Sequence, residues 1–241
     1  MQPKNSKERL AKAISTLGYC SRRDAEKLIA SGRVKLNGEI TTEIVTFVEP
    51  CDVIEVDNVK LLSLPTKIWS YYKPRGFITT HKDPQGRPTV FDNINIKNQS
   101  HIISVGRLDI ESEGLLLLTN NGEIARKLEL PSNNFERIYK VKAFGNFKQQ
   151  DILELEKGAK IDSILYKPCK ITHIKSNTKN HWFEVKIYEG KNREIRKLFE
   201  HIGMQVSRLI RISYYIYNLG DLKPGEVREE KINSELQHYS K

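Results

Sequence analysis

The sequence predicts an α+β protein in two parts, a small αα-β module over residues 1–62 and a larger domain over 63–241 built on a mixed, mostly antiparallel sheet. Three observations carry this. Two short amphipathic helix patterns precede a run of strand and turn signals. Residues 58–67, NVKLLSLPTK, then break all periodicity and include Pro65, which marks a junction. Beyond it, strand and helix patterns alternate without the regular βαβ rhythm of a parallel sheet.

In the first part, Leu10, Ile14 and Leu17 share one side of a helix that Gly18 can end. Ser21 with Asp24 three residues on forms a capping pattern for a second helix, whose Ala25, Leu28 and Ile29 run up to Gly32. Val34, Leu36 and the Asn37-Gly38 pair read as a hairpin, with further strands at Ile44–Val48 and Val53–Val56. In the second part, strands are expected at Ile68–Tyr72, in the apolar run Leu115–Leu118, and at Arg137–Phe144, Pro168–Ile174, Trp182–Tyr188 and Val206–Ile212. Helices are expected at Gly122–Leu130, Phe147–Glu156 and Asn192–His201.

Composition limits the function. Hydrophobic residues make up 38% and charged residues 29%, a balance that suits a packed globular chain. No apolar run approaches membrane-spanning length, and Met1–Arg9 is polar with no secretory core, so a cytoplasmic location without membrane attachment is expected. Cys20, Cys51 and Cys169 form no C-x-x-C pair and suggest neither disulfides nor a thiolate metal site. No phosphate-binding glycine loop or paired histidines occur, so neither a cofactor nor a metal is expected.

The net charge of +10 favours a polyanionic partner. Its distribution is sharper: residues 1–38 hold nine Lys/Arg against three Asp/Glu, and residues 39–62 hold one against six. The basic face comprises Lys12, Arg22, Arg23, Lys27, Arg33 and Lys35, next to the capping Ser21. Arg22 and Arg23 occupy a helix's first turn, where the dipole disfavours cations, so helix stability does not explain them.

Glu8–Ile40, ERLAKAISTLGYCSRRDAEKLIASGRVKLNGEI, closely resembles the S4 RNA-binding domain. That resemblance implies that the second helix and its basic side chains lie against structured RNA, held by phosphate and shape contacts.

In the second part, Lys73-Pro74-Arg75-Gly76, Gly106-Arg107-Leu108-Asp109 and Glu189-Gly190-Lys191-Asn192-Arg193 stand out chemically. Taken alone, an Asp in a loop before a buried strand is most often a turn residue. The residues nevertheless match a family. KPRG, SVGRLDIESEGLLLLTNNGEIARKLELPS, ERIYKV, EGKNREIRKLFEHIGMQVSRLIRI and LGDLKPGEVREE occur in the order and spacing of the RsuA/RluB pseudouridine synthases. With the S4-like module the resemblance spans nearly the whole chain.

The resemblance implies an isomerase with a pseudouridine synthase catalytic domain, in which Asp109 attacks a uridine of ribosomal RNA. An ionised carboxylate suits the task, because it can act at the sugar and be released again, dividing one difficult step into two. Arg196 would keep Asp109 charged and placed. Tyr139 would stack on the uracil and reach C5. Arg107 would fill the gap left by an extruded nucleotide, and Leu198 would pack on the base. Lys73, Arg75, Arg193, Lys197, Arg208 and Arg211 are candidates for the RNA track. C1′ and C5 are inaccessible in stacked RNA, so the uridine must be flipped out, which costs a few kcal/mol.

The expected partner is rRNA, free or inside an assembling subunit, with 23S ahead of 16S because of GLLLLTN and the LGDLKPGEVREE ending. The competing expectation is a non-catalytic S4-type ribosome assembly factor. A monomer is the default oligomeric state.

Overall fold

Residues 7–96 and 101–239 are described by the computed structural model, so residues 1–6 of the polar leading segment lie outside the described residues. The first module packs helix α1 (Leu10–Thr16) on α2 (Arg22–Ala30), with Leu10, Ile14, Ala25 and Ile29 fully buried between them and the strands. Ser21 caps α2 as its sequence suggests, accepting the amide of Asp24 at 3.2 Å. Strands β1 (Val34–Leu36) and β2 (Glu39–Thr41) form the hairpin around Asn37 and Gly38, both at positive φ, as a type I′ turn requires. β3 (Ile54–Val56) and β4 (Val59–Lys60) complete a sheet of order β2-β1-β3-β4.

Two expectations are corrected here. The strand expected over Ile44–Val48 shrinks to Phe47–Val48, paired with Glu8–Arg9, while Ile44 and Val45 are exposed. The segment 58–67 is not wholly irregular either: Asp57 and Asn58 take positive φ and turn the chain into β4, leaving 61–67 as the stretch without a regular element.

The large sheet contains β5 (Ile68–Lys73), β6 (Glu113–Thr119), β7 (Arg137–Phe144), β8 (Lys170–Asn177), β9 (Asn180–Ile187), β10 (Gln205–Tyr214) and β11 (Val227–Glu230). Their order is β8-β9-β7-β10-β6-β5-β11, and every pair is antiparallel except β10 with β6. Ile103–Ser104 and Tyr217–Asn218 add short flanking strands.

β6 shows why its sequence is uniformly apolar. Leu116 and Leu118 enter one core with Val141, Phe183, Ile152 of α4 (Gln149–Glu156), and Leu198 and Phe199 of α5 (Glu194–His201). Leu115 and Leu117 enter the other, under Ile124 and Leu128 of α3 (Gly122–Glu129). A strand covered on both faces loses the alternating pattern. Each leucine so buried stabilises the fold by about 2 kcal/mol.

The parallel joint is unusually close. Gly114 lies opposite Arg211 at φ +101°, and a Cβ there would sit 2.3 Å from the carbonyl oxygen of Arg211. The joint therefore brings the end of the 106–112 loop directly beside β10, and the cleft described next forms at that place.

Candidate active site

A cleft of about 930 Å³ opens between the 106–112 loop, the 78–81 segment, β7, β10 and the 190–195 turn. Asp109 lies in its wall, half-buried. The loop that carries Asp109 is tied down on both sides. Thr79 Oγ1 donates to the Leu108 carbonyl at 2.9 Å and accepts the Leu108 amide at 3.3 Å. The Asp109 carbonyl accepts both the Ser112 amide at 2.9 Å and Lys73 Nζ at 3.1 Å. Gly76 donates its amide to the Ile110 carbonyl at 2.8 Å. With so many backbone groups fixed, the carboxylate of Asp109 is presented from a rigid frame.

Tyr139 reaches the same cleft from β7, 7% exposed, and its backbone pairs with Arg211 of β10. Behind it Tyr214 gathers two arginines, with the Arg137 and Arg211 guanidinium carbons 4.5 and 5.0 Å from its ring centroid. Arg137 Nη2 donates to the Tyr214 hydroxyl at 2.8 Å, and that hydroxyl donates to the Leu128 carbonyl at 2.7 Å.

The sequence-derived residues divide. Asp109, Tyr139, Arg107 and Arg193 line the cleft, and the two arginines are exposed with no carboxylate partner among the described residues. Arg193 stands in the left-handed region, φ +52°, just before α5. Arg196 forms no ion pair with Asp109. Its Nη1 and Nη2 donate to the carbonyls of Val206 and Glu111 at 3.0 and 3.1 Å, although Asp109 acts on its charge through space. Burial lowers the Arg196 pKa, with Arg193 adding to the effect and Asp109 opposing it.

Three expectations are corrected. Lys73 is fully buried, so it does not track RNA; its ammonium donates to the carbonyls of Ser112, Pro74 and Asp109 at 2.8, 3.0 and 3.1 Å. Burial pulls its pKa down to about 8, against the upward pull of Asp109, Glu113 and Glu111. Leu198 points into the core and is absent from the cleft lining, where Ile195 and Leu209 stand instead. Arg211 is 3% exposed and belongs to the cleft wall rather than to an outer track. Arg75 and Arg208 are engaged with Glu111 and Glu113. Lys197 lies on α5 outside the cleft lining.

In the small module, Arg22, Arg23 and Lys27 are exposed, and Lys27 pairs only loosely with Asp24 at 3.3 Å. Arg33 is held by Asp57, and Lys12 bridges Glu8 and Glu123 at 2.8 and 2.9 Å, tying the module to the larger domain. Lys35 lies half-buried in β1, and Ser21 serves as the helix cap.

Sequence reasoning missed Thr79, which no motif marks, and although the run 189–193 stands out in the sequence, it gave no role to the buried carboxyl pair Glu189 and Glu194. Glu194 lines the cleft; it accepts the Lys191 amide at 3.0 Å through one oxygen, and its other oxygen is buried without a partner. Burial pushes its pKa up to about 7, with Glu189 raising it further. Among the described residues, no group of three or more His, Cys, Asp and Glu could hold a metal ion, and no helix is long and apolar enough to cross a membrane.

Residues 67–201 match the family model described as RNA pseudouridylate synthase, and residues 8–54 match the S4 domain model. An uncharacterized RNA pseudouridine synthase of Rickettsia felis is 48% identical over 95% of this chain and 98% of its own length. The ribosomal large subunit pseudouridine synthase B of Haemophilus influenzae is 39% identical over 88% of this chain and 61% of its own length. A pseudouridylate synthase crystal structure superposes with a TM-score of 0.65 at 25% identity, covering 92% of this chain and 96% of that one.

Proposed function

The chain belongs to the RNA pseudouridylate synthase family, and from that premise we propose that its target is a uridine of 23S ribosomal RNA, flipped into the cleft for attack by Asp109. Pseudouridine synthesis on RNA is the activity of the family: the N1 to C1′ bond breaks, the uracil turns, C5 joins C1′, and the C5 proton leaves. The large-subunit relatives from Haemophilus influenzae and Salmonella typhi, each 39% identical, support the choice of 23S.

The observation that carries this reading is the placement of Asp109 in a clamped loop, in one cleft with Tyr139. A carboxylate held there acts at the sugar without reorganising its surroundings. Tyr139 stacks on the base and leads the C5 proton out. Arg196 steadies the loop through the Glu111 carbonyl and adds its charge at a distance. Arg107 and Arg193 take the phosphates beside the extruded nucleotide, and Arg22, Arg23 and Lys27 dock flanking RNA. The division of labour follows the chain, with docking in 1–62 and chemistry in 63–241.

Carbodiimide treatment and primer extension on unmodified 23S and 16S transcripts, and on assembling particles, test the target. A wild-type-dependent stop in 23S is the expected result. A stop confined to 16S would overturn the choice of subunit.

A further inference from the structure

Arg211 keeps one donor that its neighbours, including the Tyr214 ring 5.0 Å from its guanidinium carbon, leave unmet. It is a cation 3% exposed, deep in the cleft wall, with no carboxylate paired to it among the described residues. Its Nε donates to the Leu115 carbonyl at 2.7 Å, while Nη2 is shut off from solvent and has no partner. The other deep cations differ. Lys73 is matched by three carbonyls, and Arg137 bonds the Glu189 carbonyl at 3.2 Å and the Tyr214 hydroxyl at 2.8 Å. A buried cation with an unmet donor is costly, and such a group persists where a ligand completes it.

The position of Arg211 says which part of the substrate that is. Its backbone pairs with Tyr139 on one side and with Gly114, at the end of the Asp109 loop, on the other. Arg107 and Arg193 are exposed at the cleft, where phosphates would pair with them, whereas Arg211 is buried in the wall, where a flipped base and its C1′ would enter. The base there offers carbonyl oxygens as acceptors. When N1 to C1′ breaks, its electron pair stays on the uracil and spreads onto those oxygens, to be used again when C5 bonds C1′.

We propose that the Arg211 guanidinium takes a carbonyl oxygen of the flipped uracil and stabilises the negative charge it carries while detached from the sugar. This rests on the flipped-base reading above. It gives Arg211 a role distinct from Asp109, at the leaving base rather than at the sugar. A fixed donor aimed at developing charge in a water-poor site contributes on the order of 100-fold or more to a chemical step.

The test compares wild type, R211Q and R211K in single-turnover reactions, read by nuclease digestion and chromatography. The substrate is a stem-loop transcript covering the uridine that wild type modifies, made once with uridine and once with 5-fluorouridine there. Fluorine withdraws electrons, so that base departs with less help. On uridine, R211Q should react at least about 100-fold slower than wild type, with RNA binding within about threefold and R211K intermediate. On 5-fluorouridine the wild-type to variant ratio should shrink at least about tenfold. Equal ratios on both substrates, for R211K as well should R211Q fail to fold, would overturn the proposal. The baseline is wild-type turnover on whichever rRNA it modifies, so an error over 23S against 16S appears in the mapping and leaves the ratio unaffected.

Discussion

The ammonium of Lys73 lies 3.1 Å from the backbone carbonyl oxygen of Asp109, so that a residue buried at the end of one strand fixes the main chain of another 36 positions later. The same ammonium binds the Ser112 carbonyl at 2.8 Å and closes the loop from both ends. Lys73 is a positioning residue.

Lys73→Met should take the ammonium donor from the Ser112 and Pro74 carbonyls and leave the Asp109 carbonyl only the Ser112 amide. The expected cost is about 3 kcal/mol in urea unfolding, with turnover falling far more than RNA affinity. The folded pKa of Lys73, about 8, lies below its ordinary 10.5. Between these values the unfolded chain binds more protons, so the Lys73 contribution to stability rises with pH. Unfolding curves at pH 8 and pH 10 should show that slope in wild type and lack it in Lys73→Met.

Glu194 titrates with the opposite consequence. Its folded pKa of about 7 lies above the usual 4.5, so the folded chain holds the extra proton, and stability falls as pH rises from 4.5 through 7. Glu194→Gln keeps an acceptor for the Lys191 amide and removes the charge. It should be more stable than wild type at pH 8 by about 2 kcal/mol, with the advantage gone at pH 4.5, as thermal melts at the two pH values would show.

Gly114→Ala places a Cβ 2.3 Å from the Arg211 carbonyl at a φ of +101°. The parallel joint must open, and the cost should be at least about 3 kcal/mol, with Asp109 and Arg211 displaced together. A melting temperature within a degree or two of wild type would contradict the close approach.

Arg193→Ala and Arg107→Ala remove exposed charges at the cleft rim. Each should weaken RNA binding by up to about tenfold and reduce the slope of log affinity against log salt by about one unit. Filter binding from low to moderate salt measures both.

Much of this was legible in the sequence, for physical reasons that differ by residue. The β6 run LLLL announced a strand covered on both faces, and Ser21 and Asn37-Gly38 announced a cap and a turn because those side chains act on their own backbone. Asp109 and Tyr139 stand out through their motifs, and the fold brings them to one cleft. The burial of Lys73 was not legible, because a lysine after an apolar strand gives no sign that carbonyls from residues 109 and 112 will converge on it. Leu198 and Ile195 are one helical turn apart, and only the packing of α5 decides which faces the cleft. Arg211 was grouped with the surface arginines because register shifts where β7 pairs with β10 break the simple in-and-out alternation. The edge strand Val227–Glu230 reads as polar because its side chains are only partly covered.

If Asp109 performs the chemistry rather than shaping the cleft, loss of its charge alone stops turnover. Asp109→Asn preserves the size and the backbone of the residue, including the carbonyl bonds to Lys73 and Ser112. Single-turnover tritium release from rRNA transcripts labelled at uridine C5, measured beside filter binding, decides it. RNA affinity should stay within about threefold of wild type while tritium release falls at least about 1,000-fold. Release within tenfold of wild type would contradict it.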